Sequence, residues 1–306
     1  MRSFTGRVAA ITGAGSGIGR ALAVRLAAEG AHLSLSDVDE VGLAGTAELV
    51  AGAGVTVTTR VVDVADRVAV EAWAEETVAA HGRVNLVVNN AGVAQGGSVE
   101  GTSHEDLAWV MDVNFWGVVH GTKAFLPHLR AAGEGHVVNV SSVFGLQSQP
   151  GVSAYNASKF AVRGYTESLR QELDLLACGV SATCVHPGGI ATNINRSART
   201  DDSLRTLLGL SGEDAVGGFD RLLRIPPDTA ARVILDGVRR DRRRVLIGAD
   251  ARVLDWEARL LPTGYQVLNR LLVRGLSRRA AGGAVASSQP QLREPARAHH
   301  PDADVG

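Results

Sequence analysis

The chain has 306 residues, 45% of them hydrophobic and 21% charged, with a formal net charge of −1. This is enough apolar material for one large domain or two small ones around a sizeable core. The balanced charge excludes a globally basic nucleic-acid surface. Aromatics at 4% leave too few rings to stack single strands, so no nucleic-acid partner is expected.

Taken in order, the chain opens on a β-rich run at 7–12, a glycine turn at 13–19 and a helical pattern at 17–29. Further strand candidates lie at 31–36, 55–61, 84–89, 136–141, 180–185 and 244–247. Helical patterns fall at 39–52, 66–81, 103–131, 153–176 and 227–239. The strands read as nearly continuous apolar runs (LVVNN, VVNVS), which marks parallel strands covered on both faces. Repeated βα units predict an α/β fold with a doubly wound, mainly parallel seven-stranded sheet and helices on both faces.

Residues 188–225 break this rhythm with Gly, Ser, Thr and Asp before Pro226 and Pro227. A loop that long inside a compact domain reads as a substrate lid. Residues 1–250 are therefore expected to form the catalytic domain, 251–280 a helical C-terminal extension, and 281–306 a disordered tail without an apolar face.

Cys178 and Cys184 match no common metal or redox spacing and read as buried small hydrophobes, so no metal is expected. A reducing, cytoplasmic setting follows. The N-terminal segment lacks a secretory apolar core, and no apolar run is long enough to span a bilayer.

The turn Thr12-Gly13-Ala14-Gly15-Ser16-Gly17-Ile18-Gly19 lies between a strand and a helix. Glycines let the backbone approach a ligand, and a helix N-terminus offers N–H groups and a positive dipole end to a pyrophosphate. Asp37, eighteen residues past Gly19, ends the second strand, where an acid binds the ribose hydroxyls of an adenosine. Its alternative role is as cap of the following helix. Neither Ser16 nor Val38 provides a cation for a 2′-phosphate, so NAD(H) is preferred over NADP(H).

Tyr155 and Lys159 are four apart and so share one helix face. Of 31 basic residues only Lys123 and Lys159 are lysines, so a position that keeps Lys calls for a compact ammonium rather than a guanidinium fork. An ammonium lowers a neighbouring phenol's pKa from about 10, and an oxidised nicotinamide acts in the same direction. Tyr155 is then an acid/base for an alcohol or ketone, and Ser142 a hydrogen-bond donor to the substrate oxygen. Ser141 faces the other side of its strand, and His186 is expected to be structural. A surface pair on a helix is the alternative reading of Tyr155 and Lys159.

Together these residues resemble the short-chain dehydrogenase/reductase family in its non-extended branch, over about residues 5–250. The motifs are T-G-x-x-x-G-x-G at 12–19, Asp63-Val64, Asn89-Asn90-Ala91-Gly92, Asn114, Ser142, Tyr155-x-x-x-Lys159 and Pro187-Gly188-Gly189-Ile190-Ala191-Thr192. The resemblance implies a Rossmann fold. It implies that Gly13, Gly15, Ser16, Gly17, Ile18 and Gly19 cradle the dinucleotide, and that Asp63 and Val64 contact its adenine. Asn89, Ala91 and Gly92 would line the nicotinamide ribose, which Tyr155 and Lys159 also contact. Pro187, Gly188, Ile190 and Thr192 would hold the carboxamide end, and Asn114 would kink its helix and anchor a water relay to Lys159. Homodimers or homotetramers through helices 103–131 and 153–176 are implied as well.

The implied activity is NAD-dependent interconversion of a secondary alcohol and a ketone. The substrate side is expected at 93–97, Phe144, Gln149 and 189–225, and Leu204, Leu207, Leu208 and Leu210 make a small apolar carbonyl or alcohol the expected substrate. Arg196, Arg199 and Arg205 keep open a 3-oxoacyl-thioester reductase using NADPH. A non-catalytic dinucleotide sensor is a further alternative, although such relatives lose the Tyr or Lys kept here. Residues 264–279 place Leu268, Leu271, Leu272 and Leu276 on one helix face, with Arg270, Arg274 and Arg278 on another. That helix is expected to cover its own domain or a sister subunit, with peripheral membrane contact as the alternative.

Overall fold

The computed structural model describes residues 1–192, 194, 198–208 and 225–287, with side chains described as far as 275. β1 (Val8–Thr12) leads into α1 (Gly17–Ala28), then β2 (His32–Asp37), α2 (Glu40–Val50), β3 (Val57–Val61), α3 (Arg67–His81) and β4 (Leu86–Asn89). There follow β5 (Gln95–Gly96), α4 (His104–Met111), α5 (Gly117–Ala131), β6 (Gly135–Val140), α6 (Ser153–Leu176) and β7 (Val180–Pro187). The described remainder is β8 (Arg199–Thr200), α7 (Asp202–Leu208), α8 (Pro227–Arg239), β9 (Arg244–Ile247), α9 (Ala249–Leu260) and α10 (Gly264–Ser287).

Seven strands form one sheet in the order β3-β2-β1-β4-β6-β7-β9. Every pairing is parallel, as the continuous apolar runs require. Alternate strand residues serve opposite faces. Ala9, Ile11, Leu86, Val88 and Val138 pack under α1 and α8 beside Leu22, Leu26 and Ile234. Ala10, Val87 and Val137 pack on the other side beside Trp73, Phe125, Leu129 and Leu173 of α3, α5 and α6. Both faces of the sheet are covered, so most strand positions are apolar whichever way they point, and this is why the sequence does not alternate.

The strand order reverses between β1 and β4, which pair with Ala9 against Leu86 and Ile11 against Val88. Their carboxyl ends open a crevice at this switch point, the usual ligand position in doubly wound sheets.

Three stretches differ from expectation. The helix expected over 103–131 is interrupted by a π-helical turn over Asp112–Trp116 with buried Asn114 at its centre; single π turns concentrate at functional sites. The segment expected as a loop from 188 contains β8, paired in parallel with β5, and α7, whose Leu204 and Leu208 are buried. A two-residue strand is too short to leave a period in sequence. The periodicity after 250 belongs to two helices, because Pro262 follows Leu261 and has no N–H to continue the ladder. α10 then reaches Ser287, so 281–287 of the tail expected over 281–306 is helical; the rest of that tail lies outside the described residues, as do Arg196 and Leu210 and the side chains of Leu276 and Arg278. Among the described residues no helix is long and apolar enough to cross a membrane.

Candidate active site

The glycine turn sits at the switch point and is braced from β4. Thr12 Oγ1 accepts from the backbone N–H groups of Asn90 (2.9 Å) and Ala91 (3.0 Å). The Asn90 amide donates to the carbonyls of Thr12 (3.0 Å) and Gly13 (3.2 Å). Gly13 has φ +65°, and a Cβ there would lie 2.8 Å from Asn90 Nδ2. A Cβ on Gly19 would fall on the Gly13 carbonyl. Both positions therefore exclude side chains.

Ser16, the N-cap of α1, makes no side-chain bond to the first-turn N–H groups, which leaves those donors without a side-chain cap, as an anion site requires. Beside them a cleft of about 420 Å³ is lined by Gly17, Arg20, Ala191, Thr192 and Pro226 among others. The cradle has the shape and donors that a dinucleotide pyrophosphate needs.

Asp37 does not take the capping role that was its alternative. The N-cap of α2 is Asp39, whose side chain accepts from Gly42 N. Asp37 instead accepts from Gly15 N (2.7 Å) through Oδ2 and from Asp39 N (3.0 Å) through Oδ1. Its carboxylate is thereby fixed at the lip of the glycine turn, half-buried, with Val38 exposed next to it. Arg20 lies near the turn, but its guanidinium is committed to Thr46 Oγ1 (2.9 Å) and to the carbonyls of Gly42 (3.0 Å) and Gly15.

Asp63 is exposed and its Oδ1 accepts from Ala65 N (2.9 Å), while Val64 is buried against Gly117. The side chain of Asn89 turns into the core and donates to Thr122 Oγ1 (3.1 Å) and Asn139 Oδ1 (2.8 Å). Only its backbone can border the crevice. Ala91 and Gly92 continue from it, and a Cβ on Gly92 would lie 3.1 Å from Asn114 Oδ1 and 3.4 Å from Lys159 Nζ.

The remaining groups converge on that glycine. Asn114 Oδ1 accepts from Val93 N (2.8 Å), and its Nδ2 donates to Val93 O (2.9 Å) and Ser158 Oγ (3.1 Å). Lys159 is buried, donates to Val140 O (3.1 Å), and holds Nζ 5.6 Å from the centre of the Tyr155 ring. The Ser142 side chain accepts from Phe144 N (3.1 Å) and lies close enough to Tyr155 to pull its phenol pKa downward. Ser141 points away, donating to Lys159 O (2.8 Å), so the two serines divide as strand alternation demands. His186 is buried and its Nδ1 meets Ser142 O at 2.9 Å; it positions Ser142 from β7.

Burial sets the electrostatics. It raises the Tyr155 phenol above its ordinary value, and the Ser142 side chain opposes this. The share of the expected lowering assigned to Lys159 does not outweigh burial in the protein alone: the ammonium faces the Val140 carbonyl, and desolvation wins; the share assigned to an oxidised nicotinamide is separate. Burial also brings Lys159 down to about 8, leaving it largely protonated at neutral pH.

The loop after β7 is pinned on three sides. Gly188 N donates to Ile247 O (2.9 Å), Gly189 N to Asp250 Oδ2 (2.8 Å), and Ile225 N to Gly189 O (3.1 Å). Buried Ile190 bridges to Ile225, and Thr192 Cγ2 comes within 3.1 Å of where a Cβ on Gly17 would sit. Pro187, Gly188, Ile190 and Thr192 thus lie across the crevice from the glycine turn.

On the substrate side Phe144 meets the Tyr155 ring edge to face, with centroids 6.1 Å apart. Gln149 lines a separate, mainly apolar cavity of about 790 Å³ between α6 and α10, with Pro150, Phe160, Leu207 and Val273; neither Ser142 nor Tyr155 borders it. Arg199 is not free for an anionic substrate: it donates to Asp106 (3.0 Å) and lies 3.8 Å over the Trp109 ring. Arg205 faces Asp202 at 3.9 Å.

Sequence reasoning missed the roles of Asn90, Thr12, Arg20, Ser158 and Asp250, while His186 is structural as expected. Thr12, Asn90 and Ser158 stand next to or inside the motifs and carried a positional signal. Asp250 and Arg20 carried none, because their partners are set by how distant loops meet.

A family model described as short chain dehydrogenase matches residues 7–203. SadH of Mycobacterium tuberculosis is 49% identical over 279 residues, 91% of this chain and 98% of that protein. A short chain dehydrogenase/reductase from Burkholderia phymatum, solved in complex with NAD, superposes with a TM-score of 0.77 at 33% identity, covering 85% of this chain and 96% of that one. Carveol dehydrogenase from Mycobacterium avium, also in complex with NAD, gives 0.71 at 27% identity, covering 81% and 98%.

Proposed function

The chain belongs to the short-chain dehydrogenase family, and we propose that it interconverts a secondary alcohol and a ketone on an apolar substrate, using NAD(H) in preference to NADP(H). The observation that carries this reading is the convergence of Ser142, Tyr155 and Lys159 beside Gly92, across from the turn whose Gly13 and Gly19 exclude side chains.

Bound there, NAD would supply the hydride acceptor and, when oxidised, a positive ring charge. Gly13, Gly17, Gly19 and the α1 N-terminus hold the pyrophosphate, and Asp37 accepts from the adenosine ribose hydroxyls. Asp37 with exposed Val38, and an Arg20 already spent on carbonyls, disfavours a 2′-phosphate.

During oxidation the carbinol carbon gives up a hydride and its oxygen a proton. Tyr155 Oη, favoured as the phenolate by the bound nicotinamide charge and by Lys159, would take that proton, and Ser142 Oγ would donate to the oxygen as the carbonyl forms. Reduction runs the same transfers backwards. Lys159 keeps a positive charge near the phenol, and Asn114 fixes Gly92–Val93 and the start of the Lys159 turn through Ser158. Phe144 gives the substrate an apolar wall.

Tyr155→Phe tests the assignment. Turnover of a panel of ketones with NADH should be abolished while NADH fluorescence titrations stay unchanged. Near-wild-type turnover in that variant would refute the role of Tyr155, and equal turnover of the unmutated protein with NADH and NADPH would refute the cofactor preference.

A further inference from the structure

α10 packs on the domain through its least apolar face. Tyr265 and Asn269 are buried, and Val273 is half-buried. Tyr265 Oη accepts from Ser148 N (3.4 Å), and Asn269 Nδ2 donates to Ser148 O (3.3 Å). The leucines lie elsewhere. Leu268 is 46% exposed, Leu271 55% and Leu272 64%, with Val267 beside them. They therefore do not cover the chain's own domain, one of the two expected covers alongside a sister subunit. At the end of α9, Trp256 (64%) and Leu260 (69%) are exposed as well. Scattered exposed apolar residues need no explanation, but a concentration of them along one connected stretch marks a contact surface.

The charges on this helix decide what the surface fits. Arg270 and Arg274 flank the leucines, both are exposed, and neither pairs with a carboxylate among the described residues. Arg278 and Arg279 follow in sequence, and α10 contains no Asp or Glu. A two-fold contact of α10 with a second copy would bring its arginines towards arginines with no acid on the helix to answer them. A surface of lipid phosphates answers all of them.

We propose that α10 and the end of α9 dock this protein on a bilayer containing anionic phospholipid. Val267, Leu268, Leu271 and Leu272 enter the boundary between headgroups and acyl chains, while Arg270 and Arg274 reach the phosphates. Trp256 has the amphipathic ring that favours the same depth. The body of the domain stays in water on the Tyr265–Asn269 side. The contact is peripheral and reversible, and it weakens with salt because half of it is electrostatic.

The test is sedimentation of the full chain with vesicles of phosphatidylcholine alone, or with one third phosphatidylglycerol. Binding is expected to the anionic vesicles only, and to fall as salt is raised. Arg270→Gln with Arg274→Gln should weaken it by about 25-fold, near fivefold for each charge removed at the surface. Leu268→Ser, Leu271→Ser and Leu272→Ser together should abolish it. NADH binding, which none of these residues touches, should be unchanged in both variants and serves as the folding control. Failure of the unmutated chain to bind anionic vesicles overturns the proposal, as does undiminished binding in either variant. It is equally overturned if the leucine variant loses no lipid binding but dissociates an oligomer in sedimentation velocity, because the occupant is then a second copy.

Discussion

Lys159→Met is expected to make the protein more stable and much less active. Lys159 is 3% exposed, and burial brings its ammonium from 10.5 to about 8. In the unfolded chain it returns to the ordinary value, so between pH 8 and 10.5 the unfolded state binds more protons. Wild-type stability therefore rises with pH through that window. At pH 7 the buried charge costs about 3 kcal/mol, and at pH 10 about 1 kcal/mol. Methionine has a similar unbranched stem without the charge, so it removes this cost. It also strands the Val140 carbonyl that Lys159 reaches at 3.1 Å, a loss of about 1 kcal/mol. The net is a gain of about 2 kcal/mol at pH 7 that vanishes by pH 10. Urea unfolding of both proteins at the two pH values measures it from the midpoints at equal m. Turnover should fall at least about a hundredfold, the range for losing acid–base assistance. A variant no more stable than wild type at pH 7, or a difference that does not change with pH, would refute the buried-charge reasoning.

Three further outcomes follow from the same geometry. Gly19→Ala puts a methyl on the Gly13 carbonyl, and should weaken NADH at least tenfold in fluorescence titration while the far-UV spectrum stays native. Asp250→Ala removes the acceptor of Gly189 N, and should weaken NADH about tenfold, the worth of one charge-assisted hydrogen bond; Asp250→Asn, which keeps an acceptor oxygen, should recover most of it. His136 and His186 are both lowered to about 4, chiefly by burial. Between pH 4 and their unfolded value of 6.5 the unfolded chain binds more protons, so stability falls as pH falls. From pH 7 to 5 these two cost about 2 kcal/mol each, and a urea midpoint that stays level over that interval would contradict their neutral burial.

The strands and main helices were legible because they rest on local periods. Continuous apolar runs foretold a sheet covered on both faces, and α1, α6 and α8 appear where the helical patterns put them. The glycine turn and the Tyr155–Lys159 pair were legible for the same reason, since both depend on spacings within one turn of backbone. The kink at Asn114 was implied by the resemblance and not by any local period: its π turn is absorbed by Val93 and Ser158, which lie far off in sequence. β8 and α7 were too short to leave a period, and Asp250 found Gly189 only because β9 ends beside β7.

From sequence alone came the class of chemistry and the groups that carry it, because helix and strand periods determine which side chains share a face. Which way each face turns was decided only by tertiary packing. Asp39 took the helix cap and released Asp37 to the glycine turn. Asn89 turned into the core, and Asn90 took up the bracing. Burial raised the Tyr155 phenol that spacing alone would have lowered. The leucines of α10, aligned by the helical period, ended in solvent because Tyr265 and Asn269 had hydrogen-bond partners at Ser148 and held the helix by its other side.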